Sequence, residues 1–327
     1  MENKTQKMAT HNVEPLILKA KEINELILKL DVQKIMKSLF LALSKNHAVQ
    51  PPQSLTLFPQ GKGDFITYLG ALSEQEVFGT KLSPYLATNG KPIITAWTNL
   101  MSMRTGQPLL WCDSGQLTIE RTAGTTALAV NYLAPNNSRH LAIIGTGNVA
   151  LSHLRHVKGL RDWQTITIFS PKLVSDKQLQ SEIIAIDSRI SICDTTTDCV
   201  KDADVIMLCT SSAKPVISLD NIKSSAVVTS ISTNALHAHE VPPEFLNKAD
   251  VYCDYKLTTP DSAGEMYIAT SDHGWDASLI KGDLTELTAQ SCARPTYDKP
   301  IFFRSIGLGL EDVAMAYGIW QLANQAS

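Results

Sequence analysis

The residues of this chain whose types and spacing most directly imply chemistry are Gly145-Thr146-Gly147-Asn148-Val149-Ala150, which follow the apolar run Leu141-Ala-Ile-Ile and open a helical pattern. Gly145 permits a tight turn, Gly147 lets bare backbone approach a pyrophosphate, and Ala150 keeps the helix close to the sheet. The free N–H groups at the helix start, those of Asn148 and Val149, and the positive end of its dipole then face an anion. A turn that used glycine only for its positive φ would look alike over these residues. Thr165-Ile-Thr-Ile-Phe169, a second strand after the helix, supplies the context that points to a dinucleotide. At the tip of that strand, Ser170 offers a hydroxyl and Lys172 an ammonium where an acid would repel a 2′-phosphate. The expected cofactor is therefore NADPH, with NADH possible, although Asp176 could fold back onto the ribose.

Two cations outside the fingerprint could act on a substrate. Lys81 lies in the strand-like run Val77-Phe-Gly-Thr-Lys81-Leu, where burial is costly unless an anion accompanies it. A carboxylate substrate would serve, and a strand-edge surface lysine is the plainer account. Arg121 can fork both oxygens of a carboxylate, although an arginine early in a helix is more often solvated. His237-Ala-His239-Glu240 has the look of a metal ligand set, but residues two apart do not share a helix face and no third ligand is near. It reads as a solvated helix start, with no metal. Gly264-Glu265 and Gly282-Asp283 read as turns without an assigned role.

The elements that must hold these groups change character along the chain. Leu16–Leu28 and Val32–Leu43 carry helical periodicity. Short runs at 54–58, 64–68, 77–82, 92–97 and 108–112, split by Gly, Pro and Asn, predict a meandering sheet. A helix follows from about Leu117 to Leu133. Beyond Asn137, strands expected at 141–145, 165–169, 189–193, 203–209, 226–231 and 249–253 alternate with helical patterns, the signature of an α/β fold with a Rossmann-type, doubly wound parallel sheet. The stretch from Phe302 to Asn324 contains Gly307-Leu-Gly-Leu-Glu-Asp312 and then reads as an Ala-rich amphipathic helix returning to the first part. The expected division is an α+β substrate-binding and dimerisation domain over 1–124, joined by 305–327, and a nucleotide-binding domain over 125–304.

With 327 residues, 44% hydrophobic and 19% charged, the chain can build two cores, and a net charge of −3 without any basic run gives no pull toward nucleic acid or anionic membrane. No stretch approaches the length of a membrane span, and the polar first dozen residues, expected to fray, lack the apolar segment of a signal peptide. Six cysteines without a C-x-x-C pair read as reduced thiols, which suits a cytoplasmic protein.

Several stretches together resemble the ornithine cyclodeaminase and mu-crystallin family: Gly79-Thr-Lys81, Gly106-Gln-Pro-Leu109, Leu117-Thr-Ile-Glu-Arg121-Thr-Ala123, Gly145-Thr-Gly147 and Phe303-Arg-Ser-Ile-Gly-Leu-Gly-Leu-Glu-Asp312. The resemblance implies nicotinamide-dependent chemistry on amino or imino acids in a homodimer whose N-terminal part supplies the dimer sheet. It makes Lys81 the active-site lysine and Arg121 the grip on the substrate carboxylate. It adds Thr122, Thr210, Ser232 and Ser305 to the cofactor contacts and places Asp312 near the cofactor. Gln53 stands where the family often has a substrate-binding arginine. Asn234 stands where cyclodeaminases carry an aspartate, when their Glu-Leu pair is aligned on Glu240-Val241. An amide can orient a substrate but cannot titrate, so Asn234 favours imine reduction over cyclodeamination; Asn234 could otherwise be a helix N-cap. The expected reaction is NAD(P)H-dependent reduction of a cyclic imino acid, Δ1-pyrroline-2-carboxylate to L-proline. The alternatives are an ornithine cyclodeaminase, an alanine-type dehydrogenase and, outside catalysis, a crystallin-like NADPH-binding protein.

Overall fold

The structure, a computed structural model, describes residues 14–232 and 237–325. The N-terminal dozen and Asn234 lie outside the described residues. The first half builds one sheet from β1 (Leu16–Leu18), β2 (Ala48–Val49), β3 (Ser54–Leu57), β4 (Gly63–Leu72), β5 (Val77–Leu86), β6 (Ile93–Ile94), β7 (Trp97–Ser102) and β8 (Pro108–Asp113). Its order is β1-β8-β7-β5-β4-β2, with β3 also on β4 and β6 also on β5. Neighbours run antiparallel except β1, which lies parallel to β8. Leu16–Leu18 thus departs from the helix expected there. Its backbone pairs with Leu110–Cys112, and the helix α1 (Ala20–Leu26) starts only afterwards. The expected strand at 92–97 is also divided, into β6 and the start of β7. Helix α2 (Val32–Ser44) follows the periodicity of its apolar residues, whereas α3 (Gly115–Leu133) is buried all round from Ala123 to Val130.

The second sheet contains β9 (His140–Ile144), β10 (Thr165–Phe169), β11 (Ile190–Ile192), β12 (Val205–Leu208), β13 (Val227–Ser230), β14 (Asp250–Cys253), β15 (Gly282–Asp283) and β16 (Ile301–Arg304). All are parallel, in the order β11-β10-β9-β12-β13-β16-β14-β15. The chain is an α/β protein, and the direction of winding reverses between β9 and β12, the place where such sheets open a crevice. The six expected strands are present, and β15 and β16 are additions to them. The four residues Ile301-Phe-Phe-Arg304 slot between β13 and β14 rather than leading into the final helix.

The connecting helices are α4 (Asn148–Val157), α5 (Pro171–Ser175), α6 (Lys177–Ile184), α7 (Thr196–Val200), α8 (Thr259–Ser262), α9 (Gly264–Asp272), α10 (Leu284–Ala289) and α11 (Gly309–Gln325). Gly264-Glu265 therefore opens a helix, and Gly282-Asp283 is a strand whose Asp283 caps α10 through Thr285 and Glu286 N–H groups, so neither is a free turn. Along β9 and β12, alternate residues enter two cores. Leu141, Ile143, Val205 and Met207 join Met36, Phe40 and Leu133 of the first half, while Ala142, Ile144, Ile206 and Leu208 pack with Phe245 and Trp275 on the other face. α11 returns to cover the first sheet, and its start presses on β4: a Cβ at Gly309 would stand 2.3 Å from the Leu69 carbonyl oxygen. Only glycine allows this contact. Among the described residues no helix is long and apolar enough to cross a membrane.

Candidate functional site

One bank of the site grows from the β9–α4 turn. Gly145 has φ +125°, and a Cβ there would meet the Cys209 carbonyl oxygen at 2.4 Å, so the turn can pass β12 only as glycine. Gly147 is the N-cap of α4 and no side chain caps that helix, so its first N–H groups stay available to a ligand. The Thr146 and Ser170 hydroxyls share a hydrogen bond of 2.9 Å, which fixes the turn to the tip of β10. Ser170 also caps α5 by accepting from Leu173 N–H. Lys172 is exposed, with Nζ 4.0 Å from Asp176. Asp176 accepts from Leu179 N–H at 3.0 Å and so caps α6.

These groups line a cleft of about 720 Å³ that contains every expected cofactor contact: Thr122 from α3, Gly145, Thr146, Gly147, Asn148 and Val149, Ser170 and Lys172, Thr210, Ser232 and Ser305. Thr118 and Arg121 line it from α3 as well. The uncapped helix start, the bare backbone at Gly147, beside whose absent Cβ nothing lies within 4 Å, and the row of hydroxyls fit a nicotinamide dinucleotide.

The other bank is ionic and buried, and of its charged residues Arg121 is the one that lines the cleft. Period-two alternation along β5 turns Val77, Gly79 and Lys81 inward beneath α11 while Phe78 faces out. Lys81 Nζ lies 2.8 Å from Asp312 Oδ2 and 4.1 Å above the Tyr68 ring, and it donates to Thr118 Oγ1 at 3.4 Å. Arg121 donates from Nε to Asp312 Oδ1 at 3.3 Å and from Nη1 to Glu311 Oε2 at 3.1 Å. Glu311 Oε1 accepts from the Thr125 hydroxyl at 2.8 Å. All four charged residues are at most 4% exposed. Lys81 is thus neither a surface lysine nor, in this state, a cation waiting for substrate alone, because Asp312 is its anion.

Burial pulls the Lys81 ammonium down to about 8, with Asp312 opposing the fall and Arg121 adding to it. Burial likewise opposes the charge on Arg121, but Asp312 and Glu311 outweigh it and hold the guanidinium above its ordinary value. The Glu311 carboxyl rises to about 7 through burial, against the pull of Arg121. The cluster therefore places a lysine that can give or take a proton near neutrality beside a permanently charged arginine.

Gln53 does not line the cleft. It precedes β3, and continuing the β3–β4 register (Ser54 opposite Thr67) sets it across from Tyr68, with its Oε1 buried and without a hydrogen-bond partner.

Two buried carboxylates shape the rim and escaped the reading of the sequence. Asp254, just past β14, accepts from Ser305 Oγ at 3.1 Å, Ile306 N–H at 2.7 Å and Gly307 N–H at 3.1 Å, so it sets the course of the rim segment 305–307. Its place at the carboxyl end of a parallel strand, where such sheets bind ligands, was the available signal. Glu240 is fully buried instead of opening a solvated helix. It accepts hydrogen bonds from Thr210 and Ser230–Ser232, two strand ends that only the folded sheet brings together. His237 adopts φ +56° and stacks on Tyr267. No group of three or more His, Cys, Asp or Glu among the described residues could hold a metal.

The ornithine cyclodeaminase/mu-crystallin family model matches residues 13–327, and the chain belongs to that family. The NAD(P)H-dependent anabolic L-arginine dehydrogenase DauB of Pseudomonas aeruginosa is 53% identical over 308 residues, 94% of this chain and 97% of the relative. A Δ1-pyrroline-2-carboxylate reductase of Colwellia psychrerythraea is 24% identical over 316 residues, 93% and 98% of the two chains. The fold matches that of the Thermococcus litoralis Δ1-pyrroline-2-carboxylate reductase in complex with NADH and L-proline, with a TM-score of 0.87 at 23% identity over 95% of this chain and 98% of that one. The protein is an NAD(P)H-dependent oxidoreductase acting on imine or amino groups.

Proposed function

We propose that the protein reduces the C=N bond of a 2-imino acid to the L-amino acid, and that its substrate is the open-chain, guanidino-bearing imine formed from ammonia and the 2-oxo acid corresponding to arginine. The high identity to an L-arginine dehydrogenase over nearly the whole of both chains supports this substrate. The Lys81–Asp312–Arg121 cluster carries the reaction type. Reduction of the cyclic Δ1-pyrroline-2-carboxylate to L-proline is the second reading, supported by the Colwellia relative and by the amide at position 234.

In this reading Arg121 holds the substrate carboxylate through Nη2, the nitrogen outside its two ion pairs, while Nε and Nη1 keep the guanidinium fixed. Lys81 exchanges its contact with Thr118 for one with the imine nitrogen and keeps that nitrogen protonated. Asp312 holds the ammonium in place. Bound NAD(P)H supplies a hydride to the imine carbon; with one proton, this gives the amine and NAD(P)⁺. A fixed carboxylate and nitrogen present one face of the carbon, which yields a single enantiomer. Ser170 and Lys172 at the tip of β10, with Asp176 occupied in capping α6, support NADPH as the preferred cofactor.

Residues 1–124 with 305–327 form the substrate side of this assignment and 125–304 the nucleotide side. Its support is that α11 packs on the first sheet while β16 completes the second. The open face of the first sheet exposes Leu69 and Phe78, which favours a homodimer, readable by light scattering. Six free thiols suit the reducing cytoplasm.

The test follows NADPH oxidation with the 2-oxo acid of arginine plus ammonium and, separately, with Δ1-pyrroline-2-carboxylate. The expected result is a higher kcat/KM with the former. Oxidation with the cyclic imine alone would move the assignment to the second reading, and inactivity with both would sink it.

A further inference from the structure

The mechanism makes no use of Glu240, yet its carboxylate joins the ends of β12 and β13 beneath the cleft. Oε1 accepts from the backbone N–H of Thr210 at 2.8 Å and from its hydroxyl at 2.7 Å. Oε2 accepts from the Ser230 hydroxyl and from Ser232 N–H, each at 2.8 Å. The Thr210 hydroxyl gives its proton to Glu240 and accepts from Ser212 N–H at 3.1 Å, so its remaining capacity toward the cleft is a lone pair. Ser232 is held at φ +49°, a left-handed conformation that costs a serine free energy, and the bond from its N–H to Glu240 secures it there.

In a sheet wound as this one is, the β9–α4–β10 half takes the adenosine and pyrophosphate, so the ends of β12 and β13 face the other half of the dinucleotide. We propose that Glu240 is a positioning residue for the nicotinamide riboside half: it presents Thr210 as an acceptor to a ribose hydroxyl or a carboxamide N–H and holds Ser232 at the rim. The inference rests on the assignment of the cleft to NAD(P)H.

Glu240→Gln is close in shape but cannot satisfy the site. Its NH₂ must face either the Thr210 pair or the Ser230–Ser232 pair, and each pair contains a backbone N–H that can only donate. Two donors then oppose each other whichever way the amide turns.

The experiment titrates wild type and variant with NADPH and with adenosine 2′,5′-bisphosphate, which lacks the nicotinamide half, alongside circular dichroism. The expected result is an NADPH Kd raised about tenfold in E240Q, the size of a buried donor left without an acceptor, with adenosine 2′,5′-bisphosphate within about twofold of wild type. Should E240Q not fold, Thr210→Val removes only the acceptor hydroxyl, and a smaller loss, about threefold and again confined to NADPH, is expected. Equal weakening of both ligands would reduce Glu240 to a structural strut, and unchanged NADPH binding in a folded variant would also overturn the proposal. A wild-type protein that binds neither ligand would instead overturn the cofactor assignment beneath it.

Discussion

The two banks of the site, of which the ionic one reaches the cleft through Arg121, are built on opposite plans. Apart from the exposed Lys172, the nucleotide bank uses neutral groups from a short stretch of chain: glycine backbone at 145 and 147, helix N–H groups at 148 and 149, and the hydroxyls of Thr146 and Ser170. The facing bank uses two cations and two acids from β5, α3 and α11, with Arg121 and Glu311 separated by 190 residues. Many small contacts can lose a member and still bind an anion. A buried knot of charges cannot lose one without leaving another unpaired. Single substitutions should therefore cost far more on the ionic bank.

Lys81→Met is the strongest way to test that contrast. It should lower kcat by roughly a thousandfold, the scale of a lost proton donor, while NADPH binding followed by fluorescence stays near wild type. Near-normal turnover in a folded variant would remove Lys81 from the chemistry. Asp312→Asn comes next, with a loss of about 3–5 kcal/mol in stability by urea unfolding, because Lys81 and Arg121 lose a buried partner.

The same variant sharpens the electrostatic assignment through its pH profile. Lys81 is held at about 8 by burial against the pull of Asp312, so imine reduction by the wild type, which needs the ammonium, should fall as pH rises through about 8. Oxidation of the amine, which needs the free base, should rise over the same interval. Removing the Asp312 charge lowers the lysine further, and both limbs should move to lower pH. A fixed profile would show that another group sets it.

The nucleotide bank should yield smaller effects. Gly145→Ala places a Cβ 2.4 Å from the Cys209 carbonyl and should weaken NADPH binding about tenfold, through a shifted turn rather than a lost contact. Lys172→Ala should be mildest. Its exposed ammonium should be worth about threefold in NADPH over NADH preference, measured as the ratio of kcat/KM values, and more at low salt than at high.

This difference in plan also explains what could be read in advance. The β9–α4–β10 unit was legible because six consecutive residues, from Gly145 to Ala150, state its turn, its ligand approach and its helix packing together. α3 was legible from the unbroken helical run ending before Pro135. Leu16–Leu18 was not, because three consecutive apolar residues fit either period and the choice is made by pairing with β8. Ile301–Arg304 was missed for the same reason: a four-residue run shows no period, and β13 and β14 make it a strand. Lys81 and Arg121 were singled out, but the resemblance placed Asp312 only near the cofactor. Nothing local to Glu311-Asp312 says that both cations end against it. Glu240 stands in a run that reads as a solvated helix start, and only the adjacency of β12 and β13 shows where its carboxylate points.

One element touches both plans. α3 runs without interruption from Gly115 to Leu133, carrying Arg121 on its first half and, on its second, Thr126, whose hydroxyl meets His153 of α4 at 3.1 Å. Burial holds that imidazole down at about 4, so the joint stays uncharged at physiological pH. The helix thus acts as a ruler: the distance from Arg121, the proposed carboxylate grip, to α4 beside the dinucleotide turn is set by rigid backbone. If Arg121 holds the carboxylate as proposed, every substrate brings its α-carbon to the same place, and whatever lies beyond that carbon, a ring or an open guanidino chain, is measured by other walls. Changing substrate identity then requires no change in the reacting geometry, so selectivity can be re-engineered without touching the ruler.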